Sequence, residues 1–303
     1  MSVRKESRPP AYLAVLAMDG DNMGAWLRGD MSPSLETALQ PRMREYFVRL
    51  GAVENLKAKR PVSPALHAAI SEALTNFASR IAPAIVTRHK GELIYAGGDD
   101  LLALLPTETV IVCASALEGA FRGVGSPGGA PEGYWRENTE EFGDRLVMGP
   151  HATISAGIAV VHHKEDLRAA LALARDAEST AKQGGRNHLH LFIARRSGER
   201  VGESLGWSEC GTMSEAVEKF VDGASDRWLY KLRSLVPALP EEAFDLELKR
   251  QLGRSDPDTS KALSGLVDSN AFHAQGRSPE KVVRLWQAAA FLARGRDEGG
   301  EDE

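Results

Sequence analysis

The residues in this chain best suited to chemistry are carboxylates. Gly97-Gly98-Asp99-Asp100 stands between two short apolar runs, residues 93–96 and 101–105, the pattern of a β-hairpin whose turn must reach positive φ. Turns favour Gly and Asp for conformational reasons alone, so one Asp here carries little information. Two adjacent carboxylates beside buried strands are different. Each raises the other's pKa, and ionising both is costly unless a cation or several donors compensate. A divalent metal is the simplest compensation, although the hairpin taken alone reads equally well as an ordinary acidic turn.

A second acidic element lies upstream. Residues 11–18 form a nearly continuous apolar run that ends in Asp19-Gly20-Asp21-Asn22-Met23-Gly24. Such a run reads as a central strand that delivers carboxylates at its C-terminal end, where open α/β sheets place ligands. If this strand lies beside the hairpin, Asp19, Asp99 and Asp100 converge on one point. Hard oxygen ligands of this kind suit Mg²⁺ or Mn²⁺ holding a polyphosphate. The competing reading is two unrelated acidic turns.

The elements that must position these groups follow from periodicity. Ser63-Pro64 is an N-cap with a first-turn proline, and Leu66, Ile70, Leu74, Phe77 and Ile81 recur at helical spacing. A second helix is expected over residues 107–122, a strand over 153–161, a third helix over 166–182 and a strand over 188–194. Residues 31–61 and 123–148 read as insertions. The order describes an α+β protein with a ferredoxin-like palm domain, a βαββαβ core with an extra helix and strand. Residues 195–211 read as a polar connector. Helical segments over 213–221, 227–235, 241–252 and 282–294 then make a small all-α domain, and the acidic end, 297–303, reads as disordered. The expected division is 1–197 and 198–303.

Four stretches carry a family resemblance: Asp19 to Gly24, Tyr95-Ala96-Gly97-Gly98-Asp99-Asp100, Ser155-Ala156-Gly157-Ile158-Ala159, and Ala181-Lys182-Gln183-Gly184-Gly185-Arg186-Asn187. In this order they resemble the second palm domain of the large polymerase-like subunit of type III CRISPR effector complexes, most closely the type III-B version. The same landmarks are more distantly similar to GGDEF nucleotide cyclases. The resemblance implies two divalent ions, Mg²⁺ or Mn²⁺, on Asp19, Asp99, Asp100 and the Gly20 carbonyl, with ATP as substrate. It places Asp21, Asn22, Gly97, Gly98, Lys182 and Arg186 around the nucleotide. Asp21 either supports the ligands or touches the nucleotide, and Asn22 is either a polar turn residue or a base or ribose contact. On pattern alone Lys182 offsets a helix dipole; the resemblance turns it toward a triphosphate.

The implied activity is joining ATP into cyclic oligoadenylate within an antiviral effector complex, with other subunits, guide RNA and target RNA as partners. A second palm would complete the nucleotide pocket, supplied by a partner chain, a second copy or a preceding region. A diguanylate or mononucleotide cyclase is the enzymatic alternative, and a non-catalytic scaffold is the alternative outside enzymes.

Composition narrows the remaining classes. Across 303 residues, 43% hydrophobic and 26% charged, the chain has room for one large or two modest domains. A net charge of -5 argues against a wholly basic surface and leaves room for a local basic groove. Cys113 and Cys210 have neither disulfide-framework nor zinc spacing, which fits a reducing cytoplasm. No apolar run is long enough for a membrane span. The basic cluster Lys57-Ala58-Lys59-Arg60 reads as a solvated face, and His162-His163 is assigned no role.

Overall fold

The computed structural model describes residues 10–136, 143–269, 271–273 and 276–294. The expected disordered tail, 297–303, the first nine residues and part of the 123–148 insertion lie outside them. In chain order the elements are β1 (Tyr12–Gly20), α1 (Met23–Arg28), α2 (Leu35–Ala38), α3 (Pro41–Arg49), α4 (Pro64–Asn76), α5 (Ala82–Arg88), β2 (Glu92–Gly97), β3 (Asp100–Leu105) and α6 (Val110–Arg122). There follow β4 (Tyr134–Trp135), β5 (Arg145–Leu146), β6 (Ile154–His162), α7 (Leu167–Gln183), β7 (His188–Ala194) and β8 (Arg200–Gly206). The chain continues with α8 (Trp207–Val221), α9 (Arg227–Leu235), α10 (Phe244–Gly253), α11 (Pro257–Asp268) and α12 (Pro279–Ala293).

The apolar runs become the centre of a six-stranded sheet in the order β2-β3-β1-β6-β7-β8. β1 is antiparallel to both β3 and β6, with Met18 opposite Leu101 on one side and Asp19 opposite Ser155 on the other. Strands β2, β3, β1 and β6, with the α4–α5 and α6 connections, are the expected ferredoxin-like core. Parallel pairing of β6 with β7 requires a crossover, and α7 supplies it.

Alternation along β1 separates two cores. Ala14, Leu16 and Met18 face Phe77, Ile85, Leu117 and Phe121 in the large core. Val15 and Ala17 face the other way and pack with Leu102, Ala159, Ala170 and Ala174 beneath α7. Burying each Leu or Phe contributes about 1.5–3 kcal/mol, which fixes the register of β1 and hence the position of its acidic end.

The polar connector expected over 195–211 is instead the β7–β8 turn, β8 and the start of α8. The expected division after residue 197 therefore falls inside the β7–β8 hairpin, and the helical part begins at Trp207. The large core also runs without a break from the sheet into α8–α12, where Phe220, Trp228 and Phe272 meet Trp286 edge-on. The Thr107 hydroxyl donates to the Leu292 carbonyl at 2.9 Å, tying α12 to the end of β3. Residues 31–61 are more ordered than expected, because Ser34 caps α2 and Pro41 starts α3. Both cysteines are buried and free, and burial pushes their thiols up to about 12. Among the described residues no helix is long and apolar enough to cross a membrane.

Candidate active site

The register of β1 with β3 ends at Met18 and Leu101. One further step puts Asp19 opposite Asp100, on the face of the sheet that α7 covers. Asp99 lies in the β2–β3 turn next to Gly98, whose φ of +66° is left-handed and needs a glycine. A methyl group on Gly98 would meet nothing within 4 Å, so the tip of the turn opens onto free space. Gly20 has the opposite requirement. A Cβ there would lie 2.8 Å from Cβ of Asp99 and 3.0 Å from its Oδ2. Gly20 is thus what lets the Asp99 side chain close against the end of β1. At Gly97 a Cβ would stand 2.3 Å from the Tyr95 hydroxyl, so this glycine seats a tyrosine on its own strand.

α7 brings two more charged groups to this end of the sheet. The Lys182 ammonium donates to Oδ2 of Asp19 and lies 3.0 Å from Oε1 of Glu178, one helical turn earlier. Burial, then the nearby Asp100 carboxylate, raises the Glu178 pKa; burial, then the Arg186 guanidinium, lowers that of Lys182. Burial also raises the Asp99 pKa, against one hydrogen bond to its own backbone that lowers it. The site therefore holds more carboxylate than it neutralises.

Asp21 has a structural task. Its side chain is 1% exposed, accepting a 2.8 Å hydrogen bond from the Ser155 hydroxyl and a 3.0 Å one from the Asn187 amide. With both oxygens engaged it braces β1, β6 and the α7–β7 turn. That turn is unusual: Gly185, Arg186 and Asn187 all have positive φ, a costly arrangement for two non-glycine residues that the Asp21 bond helps to hold. The Arg186 side chain is exposed at its edge. Asn22 occupies the left-handed region, and its carbonyl accepts from the amides of Ala25 and Trp26. It serves as the turn that starts α1.

Sequence reasoning missed Glu178, and it took Ser155 and Gly157 as landmarks without roles. A Cβ on Gly157 would fall 2.1 Å from the Glu178 amide nitrogen. Gly157 therefore lets α7 lie directly on β6, and that contact brings Glu178 and Lys182 over the acidic end of β1.

The β1–β3 register and the close approach of Asp99 to Gly20 place Asp19, Asp99 and Asp100 at the same end of the sheet. Among the described residues no three carboxylate, cysteine or histidine groups form a ready metal cage. The Lys182 ammonium holds Asp19. The donor set still fits a divalent cation in kind. Its oxygens are hard, Asp99 is partly dehydrated without an ion-pair partner among the described residues, and Lys182 marks where positive charge is favoured.

A mixed sheet with an antiparallel β2-β3-β1-β6 core, and with carboxylates at the end of its central strand and in the neighbouring hairpin, defines a palm-type domain. Residues 12–190 match the family model of the Cas10/Cmr2 second palm domain. The chain belongs to that family, and corresponds to the C-terminal part of the type III-B subunit. Over 294 residues it is 31% identical to the CRISPR system Cmr subunit Cmr2 of Pyrococcus furiosus, covering 91% of this chain and 30% of that protein. The type III-B Cmr-beta structure in its apo state has the same fold, with a TM-score of 0.54, 15% identity, and coverage of 96% of this chain and 39% of that one. The Csm1–Csm4 cassette in complex with cA4 superposes with a TM-score of 0.51 at 16% identity, covering 95% of this chain and 37% of that one. The chain thus spans between a third and two fifths of the solved relatives, and less than a third of the Pyrococcus protein.

Proposed function

We propose that this chain is the nucleotide-joining palm of a type III CRISPR effector subunit, a metal-dependent nucleotidyltransferase that makes cyclic oligoadenylate from ATP. The observation that carries the reading is the closure of Asp99 against Gly20, which brings the hairpin carboxylates to the end of β1 within reach of α7. A scaffold has no use for partly dehydrated carboxylates beside buried strands, whereas a polyphosphate-binding site does. The cA4 complex of the related Csm1–Csm4 cassette supports an adenylate product, and the Cmr relatives support assembly with other effector subunits.

Asp19, Asp99 and Asp100, with the Gly20 carbonyl, would hold the divalent cations. Bound there, such ions lower the pKa of an attacking ribose hydroxyl and neutralise the departing pyrophosphate. The chain's own residues do the positioning. Lys182 supplies an ammonium that can donate to a phosphate oxygen, and Glu178 keeps it over the site when Asp19 turns to another cation. The open space above Gly98 admits the nucleotide, and the Asp21 brace holds the α7–β7 turn in register with β1.

The test combines Asp99→Ala and Asp100→Ala. Wild-type chain, assembled with its effector subunits and supplied with labelled ATP and GTP, yields adenylate rings; the double variant yields none and stays folded. Thermal melts with Mn²⁺ read the metal separately. A metal-induced rise that survives in the double variant rules out these carboxylates as the main ligands, and guanylate products overturn the choice of ATP.

A further inference from the structure

At the other end of the sheet, where β1 begins and β6 and β7 finish, the surface opens into a cavity of about 420 Å³ whose lining includes Lys164, Arg195, Arg196, Arg200 and His162, with Glu165 its one carboxylate. Tyr12 pairs with His162 at this end, and Gly20 with Ile154 at the other. Eight strand residues, at roughly 3.3 Å each, put the cavity about 26 Å from the carboxylate site. It is a separate feature.

The charges in it are largely unspent. Arg195 is held by Glu199 at 2.8 Å and lies 4.9 Å over the Phe291 ring, so it is fixed in place. Its Nε–H is nevertheless buried without an acceptor among the described residues. Lys164, Arg196 and Arg200 are exposed, and none forms an ion pair among the described residues. The basic cluster at 57–60 behaves differently: Lys57 pairs with Glu54 at 3.0 Å and Lys59 donates to the Asp30 carbonyl. Beside the cavity the rings of His162 and His163 stack, with centroids 4.4 Å apart and planes at 28°. Tyr12 braces His162 edge-on, and His163 is exposed. Burial, and after it the neighbouring His163, Arg196 and Lys164, hold His162 below the ordinary imidazole value, which favours an uncharged ring at neutral pH.

Unpaired cations in a concave surface beside a flat aromatic platform are the two requirements for holding an unpaired nucleic-acid strand. The cations take phosphates and the ring takes a base. A free polyphosphate would use the cations and leave the ring pair without a function. We propose that this end of the palm binds single-stranded nucleic acid, with the backbone on Lys164, Arg196 and Arg200 and an unstacked base on His163. The inference does not depend on the nucleotidyltransfer reading.

The experiment is fluorescence anisotropy of labelled single-stranded RNA and DNA oligonucleotides with the full chain, in EDTA so that the carboxylate site takes no metal. Binding of either strand is expected. Changing Lys164, Arg196 and Arg200 together to Ala should weaken it by about tenfold or more and flatten the log affinity against log salt slope by roughly 2, from three phosphates at about 0.7 each. His163→Ala should weaken binding without changing that slope. Lys57→Ala with Arg60→Ala should leave it unchanged, and melting curves confirm that each variant is folded. Absence of binding to both strands overturns the proposal, as does unchanged affinity in the triple variant. So does displacement by tripolyphosphate at equal phosphate concentration together with a silent His163→Ala, which would assign the cavity to small polyanions.

Discussion

The amide nitrogen of Glu178 stands where a side chain on Gly157 would be: a Cβ there would lie 2.1 Å from it and 2.3 Å from the carbonyl oxygen of Ala174. Backbone on both sides means that neither partner can move alone. Gly157→Ala must push α7 off β6, and overpacking of this kind costs typically about 1–3 kcal/mol. Because α7 carries Glu178 and Lys182, the same change should also weaken nucleotide binding. Urea denaturation and ATP titration read the two effects, and a variant that keeps both stability and affinity would show that the helix seat is not rigid.

Asp99 makes a prediction of opposite sign. Burial holds its pKa above the ordinary 3.8, so the folded protein binds this proton more tightly than the unfolded chain does. Stability is therefore lost as pH rises from 3.8 through the folded value, and the loss is complete above it. Asp99→Asn removes that cost. In EDTA at neutral pH the variant should melt higher than wild type, and the gain should vanish below pH 3.8, where both side chains are neutral. Added Mn²⁺ should reverse the order by stabilising only the wild type. An equal melting temperature at neutral pH would mean that Asp99 is not strained by its surroundings.

Much of this site is legible in the sequence because its residues fall in short motifs at the ends of periodic elements. Asp19, the Gly97–Asp100 turn and Lys182 sit at the ends of elements whose periodicity gives their positions. Glu178 is not legible. It is one of several polar residues on an amphipathic helix, and only the Gly157 contact aims it inward. Asp21 reads as one more site carboxylate, since nothing local says that Ser155 and Asn187, 134 and 166 residues away in sequence, consume both its oxygens. β8 escapes for a different reason. The alternation Val201, Glu203, Leu205 is broken by a carboxylate, which is buried because Arg284 pairs with it at 3.1 Å. α11 is hidden behind Pro257, which opens the helix as its first residue and reads from sequence as a separator.

The Asp21 brace should be worth more to the fold than the exposed groups around it. Asp21→Ala leaves the Ser155 hydroxyl and the Asn187 amide without their charged acceptor. Hydrogen bonds to charged groups contribute about 1.5–3 kcal/mol each, and the freed α7–β7 turn holds three positive-φ residues. We expect a loss of at least about 1.5 kcal/mol by urea denaturation, together with faster amide exchange at Asn187 and Arg186. Asp99→Asn and Asp21→Ala thus move stability in opposite directions. A neutral Asp21→Ala would mean that water replaces the carboxylate at no cost, and that the turn is held by its backbone alone.

Lys182 connects the fold to the proposed chemistry. Its ammonium lies between Asp19 and Glu178 in a place that burial makes poorly hydrated, and it also occupies the last turn of α7, where a cation offsets the helix dipole. The two roles separate on titration. If the ammonium meets a phosphate oxygen, Lys182→Ala should weaken binding of a non-hydrolysable ATP analogue with Mn²⁺ by about 1.5–3 kcal/mol, or roughly 10- to 150-fold. Lys182→Arg should recover part of that loss, because its guanidinium still reaches as a cation, though with a different shape. Glu178→Gln should give a smaller loss by loosening the ammonium without removing it. Calorimetric titration of the three variants against wild type decides the matter. An unchanged dissociation constant in Lys182→Ala, with stability reduced, would leave Lys182 as the neutralising partner of Asp19 and Glu178 and nothing more.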